Sequence, residues 1–297
     1  MKLVVISGAT ATGKSALSVE LAQAIDAEII NADSMQVYRG MDIGTAKISA
    51  EERNGISHHM LDVLNVSQDS TVAWYQSEAR RVIDEVHSRG KNVVMVGGTG
   101  LYIKAVIDEL NFPDTDPMVR HTLNAEAEEL GIDAMFARLE KLDPAAALAI
   151  DRANLRRIIR ALEVIEITGK PFTANLPREE SIRYPDARQF GLVMNREDLS
   201  DRIDVRVNAM FEQGLVAEVQ KLVADGLLQG RTAQRALGYA QVISYLNGEI
   251  SLDAAIEETK RATRQYARRQ ETWFSRDTRI TWLSTRQPRL ESILESL

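Results

Sequence analysis

The sequence predicts an α/β protein in which helices flank a parallel β-sheet. Three observations lead to this prediction. Short apolar runs with the composition of strands recur in the first third of the chain, as in "KLVVIS", "AEIINAD" and "KNVVMV". Stretches with helical character separate these runs, and glycines directly follow the first and the last of them. Strands that alternate with helices form parallel sheets that are covered by helices on both faces.

The elements follow in a regular order up to residue 112. The first strand ends in a glycine-rich turn, and a helix begins at Lys14. The second strand ends near Asn31 to Asp33, and "HHMLDVL" is expected to form another strand. The run from Thr71 to Arg89 predicts an amphipathic helix with Gly90 as its C-cap. The buried strand "KNVVMV" then ends in the turn "GGTG".

A change of composition marks a second region. From "NFPDTDP" to about Ile167 the chain is rich in Ala, Leu, Glu and Arg, and it predicts one helix after another. A second stretch with helix-breaking residues leads into "QFGLVMN", which is expected to return to the sheet. The remainder is mostly helical and ends in the strand-like "RITWLS". We therefore predict a core of residues 1–112 and 189–297, with a helical C-terminal part, and a helical insertion at residues 113–188.

Composition excludes several kinds of site. The 297 residues are 44% hydrophobic and 27% charged, as in an ordinary soluble globular protein. Cysteine is absent, which excludes disulfides, a thiol nucleophile and Cys-ligated zinc, and four histidines do not favour an all-His metal site. The apolar run Leu3 to Ile6 is too short for a signal peptide, so we expect a cytoplasmic protein without a membrane partner. The net charge of −7 means that any nucleic-acid partner must bind local basic clusters.

The segment "GATATGKS" matches the phosphate-binding pattern G-x-x-x-x-G-K-[ST] in full. In such a loop, backbone N–H groups and the start of a helix point at an anion, the lysine adds a positive charge and the hydroxyl can hold Mg²⁺. We therefore predict a P-loop NTPase-like core, with Ser15 as the metal ligand. The predicted phosphate-binding residues are Gly8, Ala9, Thr10, Ala11, Thr12, Gly13, Lys14 and Ser15.

A P-loop can split a nucleotide, move a phosphoryl group or hold a leaving group. In P-loop NTPases, Mg²⁺ is also held by an aspartate at the end of another core strand. Here the strand Asn92 to Val96 ends in Gly97-Gly98-Thr99-Gly100, without an acidic residue, and no N-K-x-D motif is present. The sequence therefore does not favour hydrolysis of a nucleoside triphosphate.

Asp33 and Thr99 each follow the end of a predicted strand. In an open parallel sheet the carboxyl ends of the strands face one crevice, so both residues are expected beside the bound phosphate. A carboxylate at this place can accept a proton from a nucleophile. By spacing alone, Asp33 could equally form a turn or cap a helix, and Thr99 could be a helix N-cap.

Two basic clusters oppose the negative net charge. In each of them three residues recur at every fourth position and share a helix face: Arg152, Arg156 and Arg160 in the first, and Lys260, Arg264 and Arg268 in the second. Such a stripe is usually a solvated helix face. Two of them in an acidic protein favour a phosphate backbone as the partner.

These motifs, in this order, resemble one family, the tRNA dimethylallyltransferases, also called tRNA isopentenyltransferases. The resemblance rests on "GATATGKS", "NADSMQVYRGMDIGTAK", "HHMLDV", "VGGTGLY", "RRIIRALEV", "ALGYAQ" and "ATRQYARRQETWF". These segments span nearly the whole chain, and "DSMQVYRGMDIGTAK" is the most specific of them. The resemblance implies transfer of a dimethylallyl group from its diphosphate to N6 of the adenosine next to the anticodon of tRNA. The cradled phosphate would then be a leaving diphosphate.

The resemblance also implies residue roles. The P-loop would hold dimethylallyl diphosphate with Mg²⁺, and Asp33 would be the base for N6, with Thr99 and Lys14 as the other catalytic residues. The partner would be the anticodon stem-loop of tRNA, and the enzyme is expected to be a monomer. The implied tRNA contacts are Asp33, Ser34, Met35, Gln36, Thr99, Arg120, Arg156, Arg157, Ile158, Ile159, Arg160, Arg235, Ala236, Leu237, Gly238, Tyr239 and Ala240.

Three other functions stay open at this point. An adenylate isopentenyltransferase would prenylate a free nucleotide and would not need the arginine stripes. A small-molecule P-loop kinase would consume ATP. An RNA-binding module would use its P-loop only to sense a nucleotide and would catalyse nothing.

Overall fold

The computed structural model describes residues 1–113, 115–175, 181–285 and 287–297. The chain divides into two compact units. The first unit consists of Met1–Ile107 and Tyr184–Leu297, and the second of Asp108–Arg183. The second unit thus begins and ends five residues before the predicted insertion of residues 113–188. An antiparallel bridge between Asp108 and Ile182 joins the two ends of this unit.

The first unit contains a sheet of six strands, all paired in parallel, which confirms the predicted fold class. The strand order is β3-β2-β4-β1-β5-β6. The predicted strand "HHMLDVL" is reduced to two residues at the edge of the sheet. The strands are β1 (Leu3–Gly8), β2 (Ala27–Asn31), β3 (His58–His59), β4 (Asn92–Val96), β5 (Arg188–Val193) and β6 (Ile280–Ser284).

Helices account for most of the remaining described chain. Those of the first unit that precede the second unit are α1 (Lys14–Ala24), α2 (Val72–Ser88) and α3 (Gly100–Ile107). The second unit contains α4 (Pro117–Leu142), α5 (Pro144–Ala149) and α6 (Leu155–Thr168). The first unit resumes with α7 (Arg196–Glu212), α8 (Leu215–Ala224), α9 (Tyr239–Leu246), α10 (Leu252–Phe274) and α11 (Arg289–Glu295).

The two faces of the sheet pack in different cores, because successive side chains of a strand point to opposite sides. In β1, Val5 belongs to the core formed with α2 and α3, whereas Val4 and Ile6 belong to the core formed with α1 and α11. Each fully buried aliphatic side chain stabilises the fold by roughly 1.5–3 kcal/mol. Both faces are therefore covered, as a parallel sheet requires.

The second unit is a helical body with its own apolar core. Helix α4 is interrupted at Gly131, whose φ of 81° lies outside the helical region. Asp116 caps the start of α4, and Asn154 caps the start of α6. The core side chains come mainly from α4 and α6 and include Leu123, Met135, Leu139, Ile158 and Leu162.

None of the helices in the described parts of the chain is both long and apolar enough to cross a membrane.

Candidate active site

A cavity of about 460 Å³ lies at the carboxyl edge of β1, β2 and β4, entirely within the first unit. Three groups of residues that the sequence analysis singled out meet there. The P-loop contributes Thr10, Ala11, Gly13, Lys14 and Ser15; the segment after β2 contributes Asp33 and Gln36; and the turn after β4 contributes Gly97 and Gly98. The parallel strands thus bring the phosphate cradle and the carboxylate to one site.

Backbone geometry shapes the P-loop. Gly8 has a φ of 134°, and a Cβ at this position would lie 2.6 Å from the carbonyl oxygen of Leu192, so only glycine fits. The hydroxyl of Thr12 donates a hydrogen bond to the carbonyl oxygen of Ala9 at 2.8 Å, which closes the loop on itself. Gly13, with a φ of 89°, directly precedes α1. The loop therefore presents the start of a helix to the cavity, where an anion is stabilised.

Lys14 lies in the loop with its side chain folded back. Its Nζ donates a hydrogen bond to the carbonyl oxygen of Ala9 at 2.6 Å. Burial of the ammonium group lowers the pKa of Lys14 to about 8; the Asp33 carboxylate opposes this shift, and the Arg206 guanidinium adds to it. A bound anion would therefore stabilise the charged form of Lys14 and raise its pKa.

Asp33 both forms a turn and lines the cavity. Its Oδ1 accepts hydrogen bonds from the backbone N–H groups of Met35 at 2.8 Å and Gln36 at 3.4 Å. No described residue donates a hydrogen bond to its Oδ2. The turn and the catalytic interpretation are thus compatible, because each uses a different carboxylate oxygen.

Thr99 directly precedes α3, but its hydroxyl does not cap that helix. Its Oγ1 accepts a hydrogen bond from the backbone N–H of Ser34 at 3.1 Å and lies 3.3 Å from Ser34 Oγ. It also hydrogen-bonds to the side chain of Tyr266, whose pKa is raised to about 12, first by burial and then by the Asp33 carboxylate. Thr99 therefore links the turn after β4 to the segment that begins with Asp33.

Sequence reasoning missed Arg206 and Gln270, which both contact the P-loop residue Thr10. Arg206 of α7 lines the cavity and donates a hydrogen bond from Nη1 to Thr10 Oγ1 at 3.2 Å. Gln270 of α10 accepts a hydrogen bond from the backbone N–H of Thr10 at 2.9 Å and donates one to the carbonyl oxygen of Gly98 at 2.9 Å. Gln270 lies within the segment "ATRQYARRQETWF", but the helical periodicity of this segment singles out only its basic residues. A single arginine in the middle of α7 carries no local signal.

The residues expected to bind tRNA in the second unit differ in their exposure and in whether their charges are already paired. Ile158 and Ile159 are buried in the helical core, so their side chains are not available to a polynucleotide, and a contact through their backbone stays a prediction. Arg120 and Arg160 both bind the carboxylate of Glu163, which is 0% exposed. Two further arginines of this group, Arg156 and Arg157, are exposed and have no ion-pair partner among the described residues.

The stretch Arg235 to Ala240 is also partly buried. Tyr239 is 0% exposed and donates a hydrogen bond to Glu218 Oε1 at 2.5 Å, so its side chain is not available to tRNA, and a contact through its backbone stays a prediction. Ala236 is 5% exposed and belongs to the same core. Arg235 is exposed, and Leu237 and Ala240 are half-buried, so these positions stay predictions.

The second basic stripe lies on α10. Arg264 forms an ion pair with Asp204, and Lys260 forms one with Glu257 at 2.7 Å. Arg268 is exposed and has no ion-pair partner among the described residues. The periodicity therefore placed the three residues on one helix face, but it did not show which charges are already engaged.

Comparison with known proteins identifies the family of this chain. Residues 36–277 match the family model described as IPP transferase. The chain belongs to the IPP transferase family. It is 56% identical to the tRNA dimethylallyltransferase of Thermobifida fusca, over 97% of this chain and 91% of that protein. It is 53% identical to the tRNA dimethylallyltransferase of Streptomyces coelicolor, over 95% of this chain and 90% of that protein.

Solved structures of IPP transferases share the fold. The tRNA isopentenylpyrophosphate transferase of Bacillus halodurans superposes with a TM-score of 0.72 at 43% identity, covering 99% of this chain and 94% of that one. A eukaryotic dimethylallyltransferase, described as acting on tRNA, gives a TM-score of 0.81 at 30% identity, covering 96% of this chain and 74% of that one. The family resemblance expected from the motifs is therefore confirmed.

The lowered pKa of Lys14 leads to a prediction about pH. As the pH rises through about 8, the ligand-free protein loses the ammonium charge, so its affinity for inorganic diphosphate should fall. Lys14→Arg keeps its charge over this range. Titration calorimetry between about pH 7 and pH 9 should show the ratio of the wild-type Kd to the Lys14→Arg Kd rising about tenfold. The ratio cancels the titration of diphosphate itself, and a ratio that does not change with pH would contradict the assignment.

Proposed function

We propose that the chain transfers a dimethylallyl group from dimethylallyl diphosphate to N6 of the adenosine next to the anticodon of tRNA and releases diphosphate. The observation that carries this proposal is the shared cavity: a phosphate cradle with Lys14 lies opposite the carboxylate of Asp33. Membership of the IPP transferase family and the names of its relatives support the same reaction.

The balance of the reaction assigns a task to each side of the cavity. The bond between the allylic carbon and the diphosphate oxygen breaks, and its electron pair leaves with diphosphate. A new bond forms between that carbon and N6, and N6 gives up one proton. Donors of the P-loop and Lys14 stabilise the leaving charge, while Asp33 accepts the proton. The amino group of adenine is a weak nucleophile because its lone pair is delocalised into the ring, so both contributions are needed.

The target base must leave its stack to reach this cavity, at a cost of a few kcal/mol. Gln36 lines the cavity, and Ser34 directly follows Asp33; both are half-buried and are suited to contact the flipped base. The Thr99 hydroxyl supports Ser34: it accepts a hydrogen bond from the Ser34 backbone N–H and donates one to the Ser34 hydroxyl. These roles follow from the family resemblance and agree with the arrangement of the side chains.

The ligands available at the cavity also suit Mg²⁺. No cluster of three or more His, Asp or Glu residues that could hold a metal occurs in the described parts of the chain. Mg²⁺ commonly takes only one or two protein ligands and completes its shell with phosphate oxygens and water. Ser15 fits this pattern, because it lines the cavity and is exposed. When bound there, Mg²⁺ would neutralise charge on the diphosphate.

The best candidates for contacts with tRNA phosphates are exposed arginine side chains. Arg156, Arg157, Arg235 and Arg268 are exposed and could each neutralise a phosphate. Arg120 and Arg160 would contribute less charge, because Glu163 already binds both. We further propose that the anticodon stem-loop is the part recognised and that the enzyme acts as a monomer.

The reaction itself is tested with donor and acceptor together. Purified protein, labelled dimethylallyl diphosphate, Mg²⁺ and unmodified tRNA should yield prenylated adenosine in tRNA. Labelled AMP without labelled tRNA would favour an adenylate isopentenyltransferase, and ATP consumed in proportion to product would favour a kinase. Binding of tRNA without turnover of any donor would leave only an RNA-binding module.

Asp33→Asn should separate catalysis from binding. Asparagine keeps an oxygen for the N–H groups of Met35 and Gln36, so the turn is retained, but it cannot accept the proton. We expect kcat to fall by roughly 10² or more, with the tRNA Kd unchanged. Asp26→Asn, at an exposed turn position, is the matched control and should keep full activity. Normal turnover by Asp33→Asn would remove the carboxylate from the mechanism.

The salt dependence of tRNA binding tests the arginines. Arg156→Ala and Arg268→Ala should each flatten the log–log slope by about 0.7 to 0.9, because each loses one phosphate contact. The donor Kd should not change. Arg81→Ala, an exposed arginine of α2 that is paired with Glu78 and Glu85, is the control and should keep the full slope. If both test variants also keep it, the stripes are only solvated helix faces.

A further inference from the structure

Arg289 of the C-terminal helix α11 reaches the P-loop. Its Nη1 donates a hydrogen bond to the carbonyl oxygen of Thr12 at 3.1 Å, and its Nε donates one to the carbonyl oxygen of Ser284 at 3.1 Å. One planar guanidinium therefore joins the end of β6 to the loop. The stretch matched by the family model ends at residue 277, so this contact comes from a part of the chain beyond it.

The contact fixes the peptide between Thr12 and Gly13. The peptide bonds of the described residues are trans, so the C=O and the N–H of one peptide point in opposite directions. The carbonyl of Thr12 faces Arg289, which does not line the cavity, whereas Gly13 does line it. The N–H of Gly13 is therefore turned away from Arg289, toward the cavity.

We propose that Arg289 is a positioning residue of the donor site. By holding the Thr12 carbonyl from behind, it keeps the Gly13 N–H aimed at the anion. Its charge, a few ångströms behind the loop, also favours an anion in front of it. The inference rests on the proposed function only for the identity of that anion as the diphosphate of the donor.

Fold stability alone does not explain this arginine. Its Nη2 is buried and has no hydrogen-bond acceptor among the described residues. Burial, followed by the nearby charge of Arg202, lowers the pKa of Arg289. A buried donor without an acceptor and a charge close to a like charge are both unfavourable. An apolar side chain of similar length would pack there without these costs, but it would leave the Thr12 carbonyl unheld.

The test is the affinity for inorganic diphosphate, measured by calorimetry well below the unfolding temperature. Arg289→Met keeps the length of the side chain but loses every donor, and it should raise the Kd roughly tenfold. Arg289→Lys, which can still donate to the Thr12 carbonyl, should recover part of the affinity. Arg279→Ala, an exposed arginine paired with Asp277, is the control and should bind like the wild type. The tRNA Kd should be the same in all four proteins.

A folded Arg289→Met protein with wild-type affinity would overturn the proposal, even if its Tm were lower. If Arg289→Met does not fold, a measurement on the wild-type protein tests the proposal instead. Its Gly13 amide signal in a ¹H–¹⁵N spectrum should shift when diphosphate binds, and an unmoved signal would equally overturn the proposal. The assay of prenyl transfer is an independent test. Prenyl transfer can fail while Arg289 still affects the affinity for diphosphate, and prenyl transfer can occur while Arg289 has no such effect.

Discussion

The close approach of three strand ends is the constraint on which the site depends. After β4 the chain turns between the ends of β1 and β2, with Gly97 N–H bonded to the Ile6 carbonyl at 3.1 Å and Thr99 N–H bonded to the Ala32 carbonyl at 3.1 Å. A Cβ on Gly97 would lie 2.2 Å from that Ala32 oxygen, so no other residue fits without moving backbone. This packing sets the spacing between the P-loop, the segment of Asp33 and the turn of Thr99.

Helix α10 then holds this arrangement from one side. Gln270 binds both the P-loop and Gly98, Tyr266 reaches Thr99, and Trp273 packs so closely on Gly100 that a Cβ there would clash with its ring. The loops at the cavity are thus held in place by Gln270, which is buried and hydrogen-bonded, and by two aromatic side chains of the same helix. The conformational cost of orienting them is met during folding, and it does not have to be met again when substrates bind.

Much of this could be predicted from the sequence, because the signals are local. The pattern "GATATGKS" between a strand and a helix located the cradle, and the rule that parallel strands end at one edge placed Asp33 at the same cavity. Thr99 lies in the neighbouring turn after β4 and contacts Ser34, but it does not itself line the cavity. Arg206 and Gln270 were out of reach of such reasoning, since each contacts the P-loop from the middle of a helix far along the chain. Local patterns describe one element, whereas these contacts depend on how elements pack.

The basic stripes show a second limit. Periodicity predicted that Arg152, Arg156 and Arg160 share one helix face, but α6 begins only at Leu155, so Arg152 lies in the turn before it. The pattern also could not show that a buried carboxylate, Glu163, already holds Arg160. Burial of a charged side chain is rare and depends on its partner. The sequence therefore revealed where positive charge is concentrated but not how much of it is available to a ligand.

The contacts of the P-loop also bear on how the protein is made. The bond from Thr10 to Gln270 spans 260 positions, and that from Arg206 to Thr10 spans 196. The cradle is synthesised well before these partners, and β5 and β6, on one side of β1, are also synthesised after it. Until then the nascent chain carries an unpaired strand edge beside the loop, which is the kind of surface that recruits chaperones or aggregates. The P-loop therefore gains its native contacts only after residues 206 and 270 have been synthesised.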